Sequence, residues 1–184
     1  AFVVRINNLH DLATNLNASI PGQAIKSSVL FSHLNEFVSL LDAHRNDKSS
    51  DVEAFGAYNQ YGAKSYGWLW CAEEEQLPFL TKTALAVSGE VTSREYSTTE
   101  IIHFIGKDLD FYFATQNGLI LLSKEESLVK ESLKQLESGH DLSGDARFMK
   151  TMKSTSTKDP VNVFVQYASL PEWFESILLE KTQW

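Results

Sequence analysis

The sequence predicts an α+β fold: a mainly antiparallel, twisted sheet of six to eight strands, with helices packed largely on one face. Three observations lead to this fold class. Between residues 52 and 122 apolar side chains recur mostly with a period of two, which is typical of strands. Asn117-Gly118 lies between two apolar runs, and Asn-Gly is the strongest short signal for a hairpin. In residues 25–43 the spacing is helical instead, and one broad apolar face needs a surface to cover.

The chain opens with a predicted strand and two predicted helices. Residues 2–6 are apolar and β-rich, and Asn7-Asn8 can cap a helix over residues 9–16. Pro21-Gly22 ends that helix. The long helix of residues 25–43 follows, and its apolar face consists of Val29, Leu30, Leu34, Phe37, Val38, Leu40 and Leu41.

A meander of two strands is predicted at residues 52–58 and 64–72, around a polar turn. A short helix over residues 77–87, closed by Gly89, comes next. Two more strands follow at residues 90–96 and 99–105. Alternation along the second meander strand separates two sets of side chains, Tyr66, Trp68 and Trp70 on one face and Gly67, Leu69 and Cys71 on the other.

The hairpin at Asn117-Gly118 fixes the register of the two strands that it joins. A type I′ turn there pairs residues 113–115 with residues 120–122, so that Phe113 lies opposite Leu122. The helix after this hairpin is predicted to start with a capping box. In that motif Ser123 is the N-cap and Glu126 lies three residues later. The buried stripe of this helix is predicted to be formed by Leu128, Val129, Leu133 and Leu136.

After a loop and a short helix near residues 146–152, the last segment repeats the plan of the first. FVQYASLPEW aligns with VVRINNLHDL, so that Val165 matches Val4 and Leu170 matches Leu9. Both segments predict a strand, a polar cap and a helix, the second helix over residues 171–179. Two alternatives are open. The final strand closes the sheet beside the first, or residues 161–184 begin a second copy of a unit spanning residues 1–160. We favour the second for the origin of the sequence, while the first remains compatible with the fold.

Composition limits the function. The chain has 184 residues, 43% of them apolar, and its formal charge of −8 comes without any basic block, so we expect no nucleic-acid partner. No apolar run approaches the roughly 20 residues of a membrane helix, so we expect no membrane-spanning segment. The single cysteine, Cys71, excludes an internal disulfide and is expected to be a small buried hydrophobe.

No motif for catalysis or cofactor binding occurs, so we expect neither catalytic residues nor a cofactor. Asp108 and Asp110 could hold a hard cation, but aspartate is also common in turns, and no metal is expected. The run Glu73–Glu75 is explained by a solvated strand end. The histidines have no ligand-like spacing and are expected to be structural or exposed, with His103 the best placed for burial: His10, His33, His44, His103 and His140.

Aromatic residues form the one constellation with a binding pattern. They are Phe55, Tyr58, Tyr61, Tyr66, Trp68 and Trp70. If their sheet face is exposed, Tyr66, Trp68 and Trp70 could stack on sugar rings. The alternative, which we favour, is that the row packs in the core beneath the helix of residues 25–43.

The order of these elements resembles a known family, with FYFATQNGLILLSKEESLVKESL, ARFMKTM and VNVFVQY as the matching segments. It is an uncharacterised bacterial cell-envelope family, the DUF3352 type of domain of unknown function. The resemblance is one of pattern, covers most of the chain and is best over residues 111–136. It implies a location at the cell envelope, in the periplasm or on the outer surface. It also implies export by an N-terminal segment that this chain lacks, and it carries over no catalytic residues.

The expected function is therefore a non-catalytic domain of a larger exported cell-envelope protein. It would scaffold, or bind a protein or ligand, with other envelope proteins or glycans as partners. The alternative is a glycan-binding module that uses Tyr66, Trp68 and Trp70, which exposure of the indoles would favour and burial would oppose. A third hypothesis, an enzyme of another type, requires a cleft of converging titratable groups.

Overall fold

The computed structural model describes residues 2–8, 12, 52–61, 65–107, 109–139, 144–155, 158–159, 161–165 and 171. Eight strands form one sheet in the order β4-β5-β6-β7-β3-β2-β1-β8, and every neighbouring pair is antiparallel. The predicted α+β fold class is thereby confirmed. In chain order the strands are β1 Phe2–Ile6, β2 Ala54–Gln60, β3 Tyr66–Glu73, β4 Glu90–Tyr96, β5 Thr99–Ile105, β6 Asp110–Gln116, β7 Leu119–Ser123 and β8 Val161–Val165.

The described helices are α1 Lys82–Leu85, α2 Glu126–Ser138 and α3 Ala146–Ser154. The prediction of a short helix over residues 77–87, closed by Gly89, is wrong in its extent. Thr81 accepts a hydrogen bond from the Ala84 amide at 3.3 Å and so starts α1 at Lys82, and the helix is one turn long. None of the described helices has the length and hydropathy that crossing a membrane requires.

Successive side chains along each strand point to opposite faces of the sheet. One face, which we call the tryptophan face, carries the larger buried cluster. Its members include Val4, Ile6, Trp68, Trp70, Phe111, Phe113 and Leu122 from the strands, together with Leu77 and Leu80 from the chain before α1 and Leu85 from α1. The opposite face, which we call the α2 face, is covered by α2. There Ile101, Ala114 and Leu121 lie beneath Val129 and Leu133, and Leu128 is also buried. The predicted buried stripe of α2 is thus confirmed at Leu128, Val129 and Leu133, whereas Leu136 is half-buried.

The β6–β7 hairpin has the predicted turn and register. Asn117 and Gly118 have φ values of 53° and 76°, the pair of positive values that a type I′ turn needs. Phe113 lies opposite Leu122, as expected from the turn. The residues of this turn therefore set the register in which β6 and β7 pair.

The predicted capping box is wrong. Helix α2 begins at Glu126, and its N-cap, Glu125, makes no side-chain cap hydrogen bond. Ser123 is still the last residue of β7, so its buried hydroxyl is too far back to cap the helix. Instead it donates to the Trp68 carbonyl at 2.7 Å and accepts from the Glu125 amide at 3.0 Å. The serine thus joins the start of α2 to the neighbouring strand β3.

The last described strand, β8, pairs with β1, so that Val163 lies opposite Val4. Its Phe164 ring meets Phe148 of α3, with ring centroids 6.0 Å apart. The strand therefore lies beside the first strand, as in the first alternative drawn from the sequence.

Apart from Leu12 and Pro171, the helices predicted over residues 9–16, 25–43 and 171–179 lie outside the described residues, as do His10, His33, His44, Asp108 and His140.

Candidate functional site

The two tryptophans of the predicted aromatic row lie in the core. Trp68 and Trp70 are only 4% and 3% exposed, and their rings stack with centroids 5.0 Å apart. Tyr66 is half-buried and stacks on Tyr58 at 5.7 Å. Gly56 lies opposite Trp70, where an added Cβ would approach the indole to 2.2 Å. The two tryptophans have no free face for a sugar ring, so they are buried as the core alternative expected, whereas the helix predicted to cover them lies outside the described residues.

A second group of side chains, on the α2 face, is open to solvent. We call it the β4–β6 surface, and it consists of Thr92, Arg94, His103, Asp110 and Tyr112. His103 lies directly opposite Tyr112, and their rings are nearly parallel with centroids 4.0 Å apart. The Nε2 atom of His103 lies 2.8 Å from Oδ1 of Asp110. Two neighbouring strands thus hold three polar side chains in fixed contact.

An open cavity of about 270 Å³ adjoins this cluster. Thr92 lies opposite His103 on the next strand, and Arg94 lies two residues further along β4. The remaining lining is provided by Ser93, Ile101 and Tyr112. Three adjacent strands therefore supply the walls, which makes the positions of these side chains depend on sheet register and not on loop conformation.

The charges around the cavity are largely compensated. Arg94 forms an ion pair with Glu126, and Lys130 Nζ lies 3.0 Å from Oε1 of the same carboxylate. The Lys130 ammonium also lies 5.6 Å from the centre of the Tyr96 ring. Arg94 and Lys130 share the carboxylate of Glu126, and Asp110 supplies a second negative charge on the same face, so the surface has little net attraction for a strongly charged ligand.

Chemically, the β4–β6 surface offers both donors and acceptors. A guanidinium donates, a carboxylate accepts, and hydroxyl and imidazole groups do either. Asp110 can fix the tautomer of His103, as a carboxylate does for a catalytic imidazole. The carboxylate is largely exposed, however, and water screens the electrostatic stabilisation that catalysis requires. The arrangement is better suited to recognition than to proton transfer.

Three described groups have shifted pKa values, and each shift has a structural cause. Hydrogen bonds from Lys82 and then Ser93 lower the pKa of Glu100. The backbone amides of Phe148 and Arg147 lower the pKa of Asp145 at the start of α3. Burial raises the pKa of the Cys71 thiol. These groups lie on different elements, so the shifts do not mark a common site.

An open cavity of about 510 Å³ lies at the end of β3, beside the β6–β7 turn. Its lining includes the predicted acidic run, Glu73 to Glu75, and Asn117 and Gly118 of the turn. The Glu74 amide donates to the Gly118 carbonyl at 2.9 Å, so the run begins a 3-10 turn packed on the hairpin. Within the part of the chain that the structure describes, no three His, Cys, Asp or Glu side chains converge to hold a metal.

The sequence did not identify the β4–β6 surface. In the sequence His103 stands as an isolated histidine, and Asp110 is close only to Asp108. The sequence does carry one relevant signal. Thr92 and Arg94 are two residues apart on one predicted strand and so share a face, and His103 lies on the next predicted strand. Placing Tyr112 beside them also required the register across residues 106–109, where Gly106 donates to the Leu109 carbonyl at 2.7 Å. That turn has no Asn-Gly signature from which the register could be read.

Comparisons with protein-family models, with curated proteins and with solved structures find no match to this chain.

Proposed function

We propose that this chain is a non-catalytic domain of a larger exported cell-envelope protein, and that it binds a protein or ligand partner through the β4–β6 surface. The observation that carries this proposal is the stack of His103 on Tyr112, with Asp110 2.8 Å from the imidazole. Side chains that already fix one another lose little conformational entropy when a partner binds. Strands hold them more rigidly than loops would, which also favours recognition.

The envelope location rests on the resemblance of residues 111–136 and the segments around it to a bacterial envelope family. Cell fractionation tests this part of the proposal. An antibody raised against the 20.7 kDa chain is expected to detect a larger protein in the envelope fraction of the organism that encodes it. Detection of a cytosolic protein of that same mass would contradict the proposal.

Glycan binding is a second candidate function. It is favoured by the charge balance of the surface, where Arg94 and Lys130 are matched by the carboxylates of Glu126 and Asp110. A neutral ligand rich in hydroxyl groups both donates and accepts hydrogen bonds, which matches the mixed lining of the cavity. The row of Tyr66, Trp68 and Trp70 is not proposed as the glycan site, because both of its indoles are buried. Any glycan contact is therefore proposed at the β4–β6 surface instead.

Binding measurements separate these candidates. The chain would be titrated with soluble glycans, cosedimented with purified peptidoglycan, and applied to immobilised envelope proteins. We expect saturable binding to one of these classes, weakened at least tenfold by His103→Ala. Glu95→Gln is the matched control, because Glu95 is exposed on the same sheet edge but outside the surface. Equal binding by both variants, or binding to none of the three classes, would contradict the proposal.

A further inference from the structure

The two edge strands of the sheet differ in character. Strand β4 (EVTSREY) carries charged side chains, including Glu90 and Glu95, which protect an edge against pairing with another strand. Strand β8 (VNVFV) has no charged residue, no proline and no glycine. Its Val163 and Val165 are 58% and 40% exposed. Among the described strands, only β1 pairs with β8.

One of the exposed valines, Val165, occupies a position that is covered in the first strand. In the alignment of the two terminal segments, Val165 matches Val4 and Val163 matches Phe2. Val4 is only 2% exposed, because it belongs to the buried cluster on the tryptophan face and is flanked by β2 on one side and β8 on the other. Val165 has the matching position in β8 but lacks the cover that β2 and its associated core provide to Val4.

We propose that β8 is shared between two units, as the last strand of this unit and the first strand of a second copy. The strand of the second copy that is equivalent to β2 then pairs with the edge of β8 that faces away from β1 and extends the sheet. Strand β1 already has this arrangement, with β2 on one side and β8 on the other. The core of the second copy covers Val163 and Val165 as the first core covers Val4.

The register follows from the pairing of β1 with β2. There Gly56 lies opposite Val4 and Tyr58 lies opposite Phe2. In the second copy the equivalent glycine therefore lies opposite Val165, and the equivalent tyrosine lies opposite Val163. The charged β4 strand bars growth at the other edge, so the sheet extends in one direction.

A tandem chain tests the proposal. Residue 184 aligns with residue 23, so a second copy of residues 24–184 placed directly after Trp184 continues the alignment. Hydrogen exchange of the amides in residues 161–165 is measured in the tandem and in the single chain. We expect exchange at least tenfold slower in the tandem, at the amides that do not bond to β1. Unchanged exchange in a tandem whose units both fold would overturn the proposal.

Two variants provide the controls. In the tandem, Val163→Lys is expected to restore fast exchange, whereas Glu90→Lys on the opposite edge leaves it slow. In the single chain, Val163→Lys is expected to leave the melting temperature unchanged, because the valine faces water there. A clear loss of stability in the single chain would show that one unit already covers this valine. That result would overturn the proposal even if the tandem does not fold.

Discussion

The hydroxyl of Ser123 donates a hydrogen bond of 2.7 Å to the backbone carbonyl of Trp68. It joins the end of β7 to β3 at a buried position, and the same oxygen accepts from the Glu125 amide. Ser123→Ala removes both contacts and leaves a buried carbonyl without this donor. We expect the free energy of unfolding to fall by about 1–2 kcal/mol in urea denaturation.

The matched control for this change is Ser138→Ala at the end of α2. Ser138 also donates to a backbone carbonyl, that of Gln135 at 2.9 Å, but it is exposed. We expect its effect to stay within about 0.5 kcal/mol, as for most surface substitutions. Equal losses from the two alanine variants would contradict a special role for the buried serine.

Gly56→Ala is expected to destabilise the fold by overpacking. An added Cβ would lie 2.2 Å from the Trp70 ring, which cannot easily move because it stacks on Trp68. Overpacking of this kind costs about 1–3 kcal/mol in the free energy of unfolding. Gly144→Ala is the control, because a Cβ there meets nothing within 4 Å. Chemical denaturation of both variants measures the difference, and a neutral Gly56→Ala would be inconsistent with this packing.

The start of α3 is expected to depend on pH. Backbone amides of Phe148 and Arg147 hold the pKa of Asp145 below its ordinary value. Because this pKa is lower in the folded chain than in the unfolded chain, the cap stabilises α3 above about pH 4. That stabilisation is lost as the pH falls through the folded value. An NMR titration of the Asp145 carboxyl should show the lowered pKa.

Asp145→Asn supplies the control for this titration. Asparagine retains a side-chain oxygen that can cap the helix but does not titrate. Amide shifts at the start of α3 should therefore lose their acid transition in this variant. An ordinary pKa for Asp145 in the folded chain would contradict the cap that the structure shows.

Cys71 is expected to react slowly in the folded protein. Burial raises the pKa of its thiol, so little thiolate is present near pH 8, and access to the sulfur is restricted. Alkylation by iodoacetamide, followed by mass spectrometry, should be at least tenfold slower in the native chain than in denaturant. Thr98→Cys in a Cys71→Ser background is the exposed control and should react at the ordinary rate. Equal native rates at the two positions would refute this expectation.

Where local chemistry decides the structure, the sequence predicted it closely. The strands at residues 90–96 and 99–105 have the predicted bounds, and the turn at Asn117-Gly118 has the predicted register. Positive φ values at two adjacent residues require particular side chains, and alternation reports which residues share a face. Neither signal depends on the rest of the molecule.

Contacts between distant segments could not be predicted from such local sequence signals. Nothing local in β3 shows that it pairs with β7, so the hydrogen bond from Ser123 to Trp68 was missed and a helix cap was predicted in its place. The β4–β6 surface was missed for the same reason, since it depends on which strands are neighbours. The fold class was thus accessible from the sequence, whereas the candidate site required the sheet order.

The pairing of β1 with β8 also determines when the fold can be completed during synthesis. Translation at about 5–20 residues per second separates the synthesis of Ile6 from that of Val161 by about 8–30 s. Throughout that interval β1 lacks one of its two neighbours. Strands β4 to β7 pair consecutively and can assemble as they leave the ribosome. A nascent chain stalled before residue 161 should therefore hold a folded meander next to a first strand with one open edge.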